Sequence, residues 1–125
     1  MSNTTPEEVV QLFFDTFNSR DIEALVALYE PKATLVAGQV VMGHAAIRGA
    51  LNGFLAMKPT LTVEKKTLVI AGDIALSIVG WTLAGTDLDH APVRMEGTTS
   101  DVLRKQDNGK WLFVIGNPWG TGILS

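Results

Sequence analysis

Thr99-Ser100-Asp101-Val102-Leu103-Arg104-Lys105-Gln106-Asp107-Asn108-Gly109-Lys110-Trp111-Leu112-Phe113-Val114-Ile115-Gly116-Asn117 is the stretch that decides the fold. Two β-rich arms flank Asn108-Gly109, a dipeptide that readily takes the positive φ angles of a two-residue hairpin turn. With that turn, Asp107 pairs with Lys110, Leu103 falls opposite Val114, and Asp101 falls opposite Gly116. Strand alternation then sets Thr99, Asp101, Leu103, Val114 and Gly116 on one face. Ser100, Val102, Arg104, Trp111, Phe113, Ile115 and Asn117 share the other. A carboxylate on a largely apolar face is costly unless it is paired or used. Gly116 leaves space in front of Asp101, and desolvation there raises a carboxyl pKa toward the range that suits a general acid or base. Two other roles stay open for Asp101. It can pair with an arginine such as Arg94 or Arg48, or it can accept backbone N–H groups at a bulge.

Working outward, Val93–Gln106 reads as one strand and Lys110–Asn117 as the last. Leu61–Ile70 and Ile74–Ala84 are two more, joined at Gly72-Asp73. The second of these is apolar on both faces, with Ile74, Leu76 and Ile78 on one side and Ala75, Val79, Trp81 and Leu83 on the other. Such a strand is covered on both faces.

The first half reads as helices. Thr5 caps the first, Pro6 opens it, and Glu8 completes a capping box. Val10, Phe13, Phe14 and Phe17 form its apolar stripe, and Asn18-Ser19-Arg20 ends it. Asp21 caps a second helix, with Ile22, Leu25, Val26 and Tyr29 in helical spacing and Pro31 as its stop. Ala33–Val36 and Gln39–Met42 are short strand candidates. A third helix runs from about His44 to Met57, ended by Pro59. Its Gly49 and Gly53 weaken it, which points to close packing against the sheet at those two places. Helices first and antiparallel strands after is an α+β arrangement. Three helices cover one side of the sheet, so the other side suits a second copy of the chain; a homodimer is the expectation. A solvent-facing sheet with some exposed apolar residues is the alternative.

Composition sets limits. The chain has 125 residues, so one domain spanning 1–125 is expected. Hydrophobic residues make up 46% and charged residues 18%, which leaves apolar surface beyond the needs of one small core. Ten basic residues against 13 acidic ones give a net charge of -3, with no basic stripe for nucleic acid. No apolar run reaches the ~18–20 residues that span a bilayer, and the N-terminus lacks the pattern of a signal peptide. A cytoplasmic location is therefore expected, with no membrane partner. There is no cysteine, which excludes disulfides, thiolate nucleophiles and Cys-based metal centres. His44 and His90 are the only histidines. His44 reads as a capping or surface residue, with a pocket-mouth acid/base role as the alternative. His90 sits in a solvated Asp87–His90 loop that makes a poor metal cage. No metal or cofactor is expected.

Two N-terminal helices, a short strand, the Gly43-His44-Ala45-Ala46-Ile47-Arg48 helix start and long antiparallel strands resemble the nuclear transport factor 2-like superfamily. The resemblance covers about Pro6 to Gly120 and is nearest to SnoaL-like and ketosteroid-isomerase-like members. The segment from Ser100 to Trp111, with the ending Ile115-Gly116-Asn117-Pro118-Trp119-Gly120, looks like a group of small bacterial proteins. The resemblance implies a cone-shaped α+β fold: a curved antiparallel sheet packed against three N-terminal helices, enclosing an apolar pocket. It also implies dimerisation through the convex sheet face. Family catalytic positions carry over poorly. Where steroid isomerases of this fold place an acid on the first short strand, this chain has Ala37. Where they place a tyrosine on the first helix, it has Phe13. Their acid on the penultimate strand has a counterpart in Asp101. Epoxide hydrolases of the fold use an arginine where Thr99 stands, and a second acid where Gly116 or Asn117 stands.

The expected function is a pocket for a small, mostly apolar molecule. Asp101 is the candidate acid/base of an isomerase-, cyclase- or dehydratase-type reaction. Phe13, Phe17, Tyr29, Thr99, Leu103, Val114 and Gly116 are the candidate ligand-binding residues. A non-catalytic binding or dimeric association module of the same fold is the alternative.

Overall fold

The capping signals at Thr5 act as read. Its hydroxyl accepts the Glu8 N–H at 3.2 Å and donates to the Glu8 carboxylate, and Pro6 opens helix α1, Pro6–Ser19. The computed structural model describes residues 4–124. Arg20 closes α1 in the left-handed conformation, at φ 60. Just before it, the Asn18 side chain donates to the Leu61 carbonyl and accepts the Leu61 N–H, at 2.9 and 2.8 Å. It thereby imitates a strand edge and pins α1 to the sheet. Helix α2, Ile22–Val26, is capped by Asp21 as expected but is little more than one turn long.

Tyr29, expected on that helix, lies instead at the start of strand β1, Tyr29–Ala37. The reason is tertiary. Tyr29 pairs with Phe113 of the last strand, and the Phe113 N–H bonds the Leu28 carbonyl at 2.8 Å. Pro31 does not stop a helix. It falls in the irregular stretch between Tyr29 and Thr34, where a missing N–H breaks no ladder bond. Strand β2, Gln39–Met42, pairs back on β1, and α3 spans His44–Leu55. Gly49 and Gly53 are exposed, and a Cβ at either would meet nothing within 4 Å. The expected close packing at these glycines is therefore absent.

Strands β3 (Thr60–Ala71) and β4 (Ile74–Thr86) form the long central hairpin. The single strand expected over Val93–Gln106 is two strands, β5 (Pro92–Thr98) and β6 (Asp101–Lys105), following one edge of β4 in turn. The break falls at Thr99-Ser100. There the Thr99 hydroxyl, in place of a carbonyl, accepts the Val79 N–H at 3.0 Å. Strand β7, Trp111–Gly116, then lies between β6 and β1. The sheet order is β2-β1-β7-β6-β4-β3, with β5 on β4. All pairings are antiparallel except β1 with β7, which is parallel. A short 3-10 turn, Gly120–Leu124, follows. No helix among the described residues is long and apolar enough to cross a membrane.

The hairpin turn differs from the two-residue form. Gln106 N–H bonds the Lys110 carbonyl, Gly109 N–H bonds the Gln106 carbonyl, and Gly109 takes φ 85. This is a three-residue loop closed by a left-handed glycine. Consequently Leu103 pairs with Phe113, not Val114. Val102 then pairs with Ile115, so Val114 is an extra, bulged residue. The bulge restores the expected register at the far end. The Ser100 N–H bonds the Asn117 carbonyl, and Asp101 stands across from Gly116.

Candidate functional site

The helices and the inner face of the sheet do not meet along their whole length. Between them lies a cavity of about 80 Å³, partly open to solvent and walled almost wholly by apolar side chains. Helix α1 supplies Phe13, Phe14 and Phe17, α3 supplies Phe54, and β4 supplies Trp81. Strand β7 supplies Phe113 and Gly116, and Pro118 and Trp119 close the wall from the C-terminal side. The rings support one another. Phe113 lies 5.3 Å from Tyr29 and 5.8 Å from Phe13, and Trp119 meets Trp81 edge-on at 5.4 Å.

Of the residues expected to bind ligand, Phe13, Phe17, Tyr29, Thr99 and Gly116 line this cavity. Two do not. Leu103 is wholly buried in the core beside the cavity, and Val114 is half-buried away from it. For Val114 the longer hairpin turn is the physical cause, because it sets Phe113 opposite Leu103 in the place assigned to Val114. Phe113 and the pair Pro118-Trp119 are cavity walls that strand alternation did not reveal. The Trp119 position depends on Asn117, whose side-chain amide donates to the Gly120 carbonyl and accepts the Trp119 N–H. The motif Asn-Pro-Trp-Gly carried that signal as a chain reversal.

Asp101 also lines the cavity. It has no arginine partner among the described residues. Arg48 is held by Glu23 at 2.8 Å, and Arg94 is exposed on β5. The other open role is partly met, since Asp101 Oδ1 accepts the Asn117 N–H at 2.7 Å. Burial raises the Asp101 pKa to about 6, and the Asn117 N–H and the Thr99 hydroxyl oppose this by less. Tyr29 is its neighbour. A Cβ built on Gly116 would lie 3.2 Å from the Tyr29 ring and 3.4 Å from its hydroxyl. Burial, and after it the Asp101 charge, hold the Tyr29 phenol protonated well above its usual range. A proton acceptor and a hydroxyl donor thus flank Gly116 in the cavity wall. The acceptor titrates near neutrality, and the donor stays protonated throughout.

The remaining singled-out residues serve the scaffold. His44 Nε2 meets the Tyr29 carbonyl at 2.8 Å and ties α3 to β1. The Asp87 carboxylate accepts the N–H groups of Asp89 and Ala91, so it shapes its own loop around His90. Ala37 lies in the cavity wall but offers no polar group.

A family model described as SnoaL-like domain matches residues 10–114. Among the curated proteins nothing matches. Among solved structures, a nuclear transport factor 2-like superfamily protein from Salmonella enterica is 18% identical, with TM-score 0.79 over 93% of this chain and 90% of that one. Aln2 from a Streptomyces species is 16% identical, with TM-score 0.75 over 96% and 95%. A cystatin-like-fold protein from Nostoc punctiforme is 16% identical, with TM-score 0.72 over 88% and 84%. At these identities the likeness is one of fold.

Proposed function

The chain belongs to the SnoaL-like domain family, and from that premise we propose that it transfers a proton within a compact, mostly apolar carbonyl compound held in the cavity. One observation carries this reading: Asp101 stands across from Gly116 and the Tyr29 hydroxyl packs beside the same glycine, in a chamber whose other lining side chains, Thr99 apart, are apolar. Ionised Asp101 takes a proton from the carbon next to the carbonyl. The Tyr29 hydroxyl hydrogen-bonds the carbonyl oxygen as negative charge develops there. Asp101 then returns the proton to a second carbon, so the net change is an isomerisation with no other reactant. Isomerase, cyclase and dehydratase chemistry share the first step.

The base works as the carboxylate, so the rate rises with pH through about 6 and then levels. The test is deuterium uptake from heavy water into a panel of small carbonyl compounds. Asp101→Asn is expected to lose at least ~100-fold. Tyr29→Phe is expected to lose about as much in kcat, with KM changed less. Uptake that persists in Asp101→Asn would sink the reading. Ligand binding without uptake in the wild type would leave the non-catalytic pocket standing in its place.

The outer face of the sheet adds a partner to this proposal. Val69, Leu76, Val102 and Ile115 form one cross-strand row there, pair by pair. Val69 and Ile115 are 57% and 40% exposed, with Ile74 beside them at 41%. A row of this kind suits a two-fold axis, because each copy offers the other the same strip. The wild type is expected to sediment as a dimer, and the double variant Val69→Lys, Ile74→Lys as a folded monomer. A monomeric wild type at every concentration tried would remove the dimer.

A further inference from the structure

Asp101 is a negative charge with no positive one to face it. Its carboxylate accepts the Asn117 N–H at 2.7 Å and a hydrogen bond from the Thr99 hydroxyl, and both donors are neutral. Among the described residues no Lys, Arg or His lines the cavity. Arg48 and Arg104 are paired away from it, with Glu23 and Glu30. A carboxyl in apolar surroundings takes up a proton or meets a cation. With a pKa of about 6, the Asp101 carboxyl is mostly ionised at pH 7 and above. The compensating charge is therefore left for a ligand to bring.

The rest of the wall narrows the kind of cation. Besides Asp101, its half-buried members are Phe13, Ala37, Phe54, Pro118 and Trp119. Three of these are aromatic, and the faces of aromatic rings attract positive charge, most effectively where water is excluded. Alkylated ammonium ions answer to both features, with apolar methyl groups around one charge. A metal ion fits poorly. Among the described residues no group of three or more His, Asp or Glu stands together, and hard cations take about six or more oxygen ligands. Size sets a further limit. Benzene fills a cavity of roughly 150 Å³. The cavity of about 80 Å³ therefore suits a cation of about four or five non-hydrogen atoms.

We propose that the cavity binds small alkylammonium ions, with the ionised Asp101 as counter-ion and the rings of Phe13, Phe54 and Trp119 around the alkyl groups. Such an ion occupies the place of the carbonyl compound and covers the carboxylate, so it acts on the proposed reaction as a competitive inhibitor. An anionic ligand is repelled by the same charge. Tyr29 of β1 is the other titratable side chain on the wall, and its phenol stays neutral. Helices α1 and α3 and strands β3 and β4 bring no titratable group to it.

The proposal shares its cavity and its carboxylate with the acid/base reading, but its test uses binding alone. Tetramethylammonium carries a permanent charge, and tert-butanol is a neutral molecule of similar shape. Both are titrated calorimetrically into the wild type at pH 8 and pH 5, with ionic strength held constant by sodium chloride. At pH 8 the cation is expected to bind at least ~10-fold more tightly than the alcohol. Its affinity is expected to fall by roughly tenfold between pH 8 and pH 5, as Asp101 takes up a proton, while that of the alcohol stays level. In Asp101→Asn the preference for the cation is expected to vanish, with the melting temperature showing that the variant is folded. Equal binding of the two probes at pH 8, no binding of the cation, or a preference that survives in Asp101→Asn overturns the proposal. Each of those results leaves the deuterium-uptake test standing, and a wild type without uptake leaves the binding of the cation intact.

Discussion

Asp101→Asn is expected to make the protein more stable at pH 8, by about 2–3 kcal/mol, while it removes the proposed base. The Asp101 pKa is raised from 3.8 to about 6 by burial in the cavity wall. The folded state therefore holds a proton that the unfolded chain has released between about pH 4 and pH 6. Across that window the folded state loses ground with every unit of pH, and above about 6 the full cost is present. Below about 4 both states are protonated and the cost is gone. Asparagine is neutral throughout, and its amide oxygen keeps the Asn117 N–H bond now made by Oδ1. Glu30 works in the opposite sense, because its hydrogen bond with Arg104 lowers its pKa. The quantity to measure is therefore the difference between variant and wild type in urea unfolding at a series of pH values. It should be near zero at pH 4 and reach its plateau above pH 6. A variant less stable than wild type at pH 8 would show that the carboxylate is solvated or paired, contrary to the geometry.

Gly120→Ala is expected to cost about 2–4 kcal/mol and to loosen the end of the cavity wall. Gly120 has φ 53, and an added Cβ would run into the Thr98 carbonyl oxygen. Both the conformation and the contact oppose a side chain, and the contact is with backbone that cannot rotate away. The strain falls on the turn that seats Trp119, because Asn117 holds Gly120 through its side-chain amide at 3.2 Å. Tryptophan emission should shift as Trp119 leaves Trp81, and the unfolding midpoint should drop. Gly122→Ala is the control, since its Cβ would meet only the Trp119 Cβ, at 3.7 Å. Equal, small effects from both substitutions would refute the tight seat of the turn.

Much of this arrangement is legible in the residues. Asp101 facing Gly116 follows from alternation and from one hairpin, although a two-residue turn makes the loop one residue too short. The longer turn and the bulge at Val114 each shift the register by one, in opposite senses, so the distant pair comes out right while Leu103 and Val114 do not. Tyr29 reads as a lining residue, but its spacing after Ile22, Leu25 and Val26 places it on a helix. Only the pairing with Phe113 draws it into a strand.

Local chemistry along the chain was enough to set the start and end of α1, the cap of α2, the places where the hairpins turn, the double-sided character of β4 and the isolation of one carboxyl on an apolar face. These depend on groups within a few residues of one another, where capping, periodicity and turn chemistry act directly. The parallel β1–β7 pairing, the break at Thr99-Ser100, the bulge at Val114 and the return of Trp119 over the cavity came from the assembled fold alone. Each is a compromise among segments far apart in the chain. One residue of slip in a strand exchanges its two faces, and it is the packing of the whole core that selects among such slips.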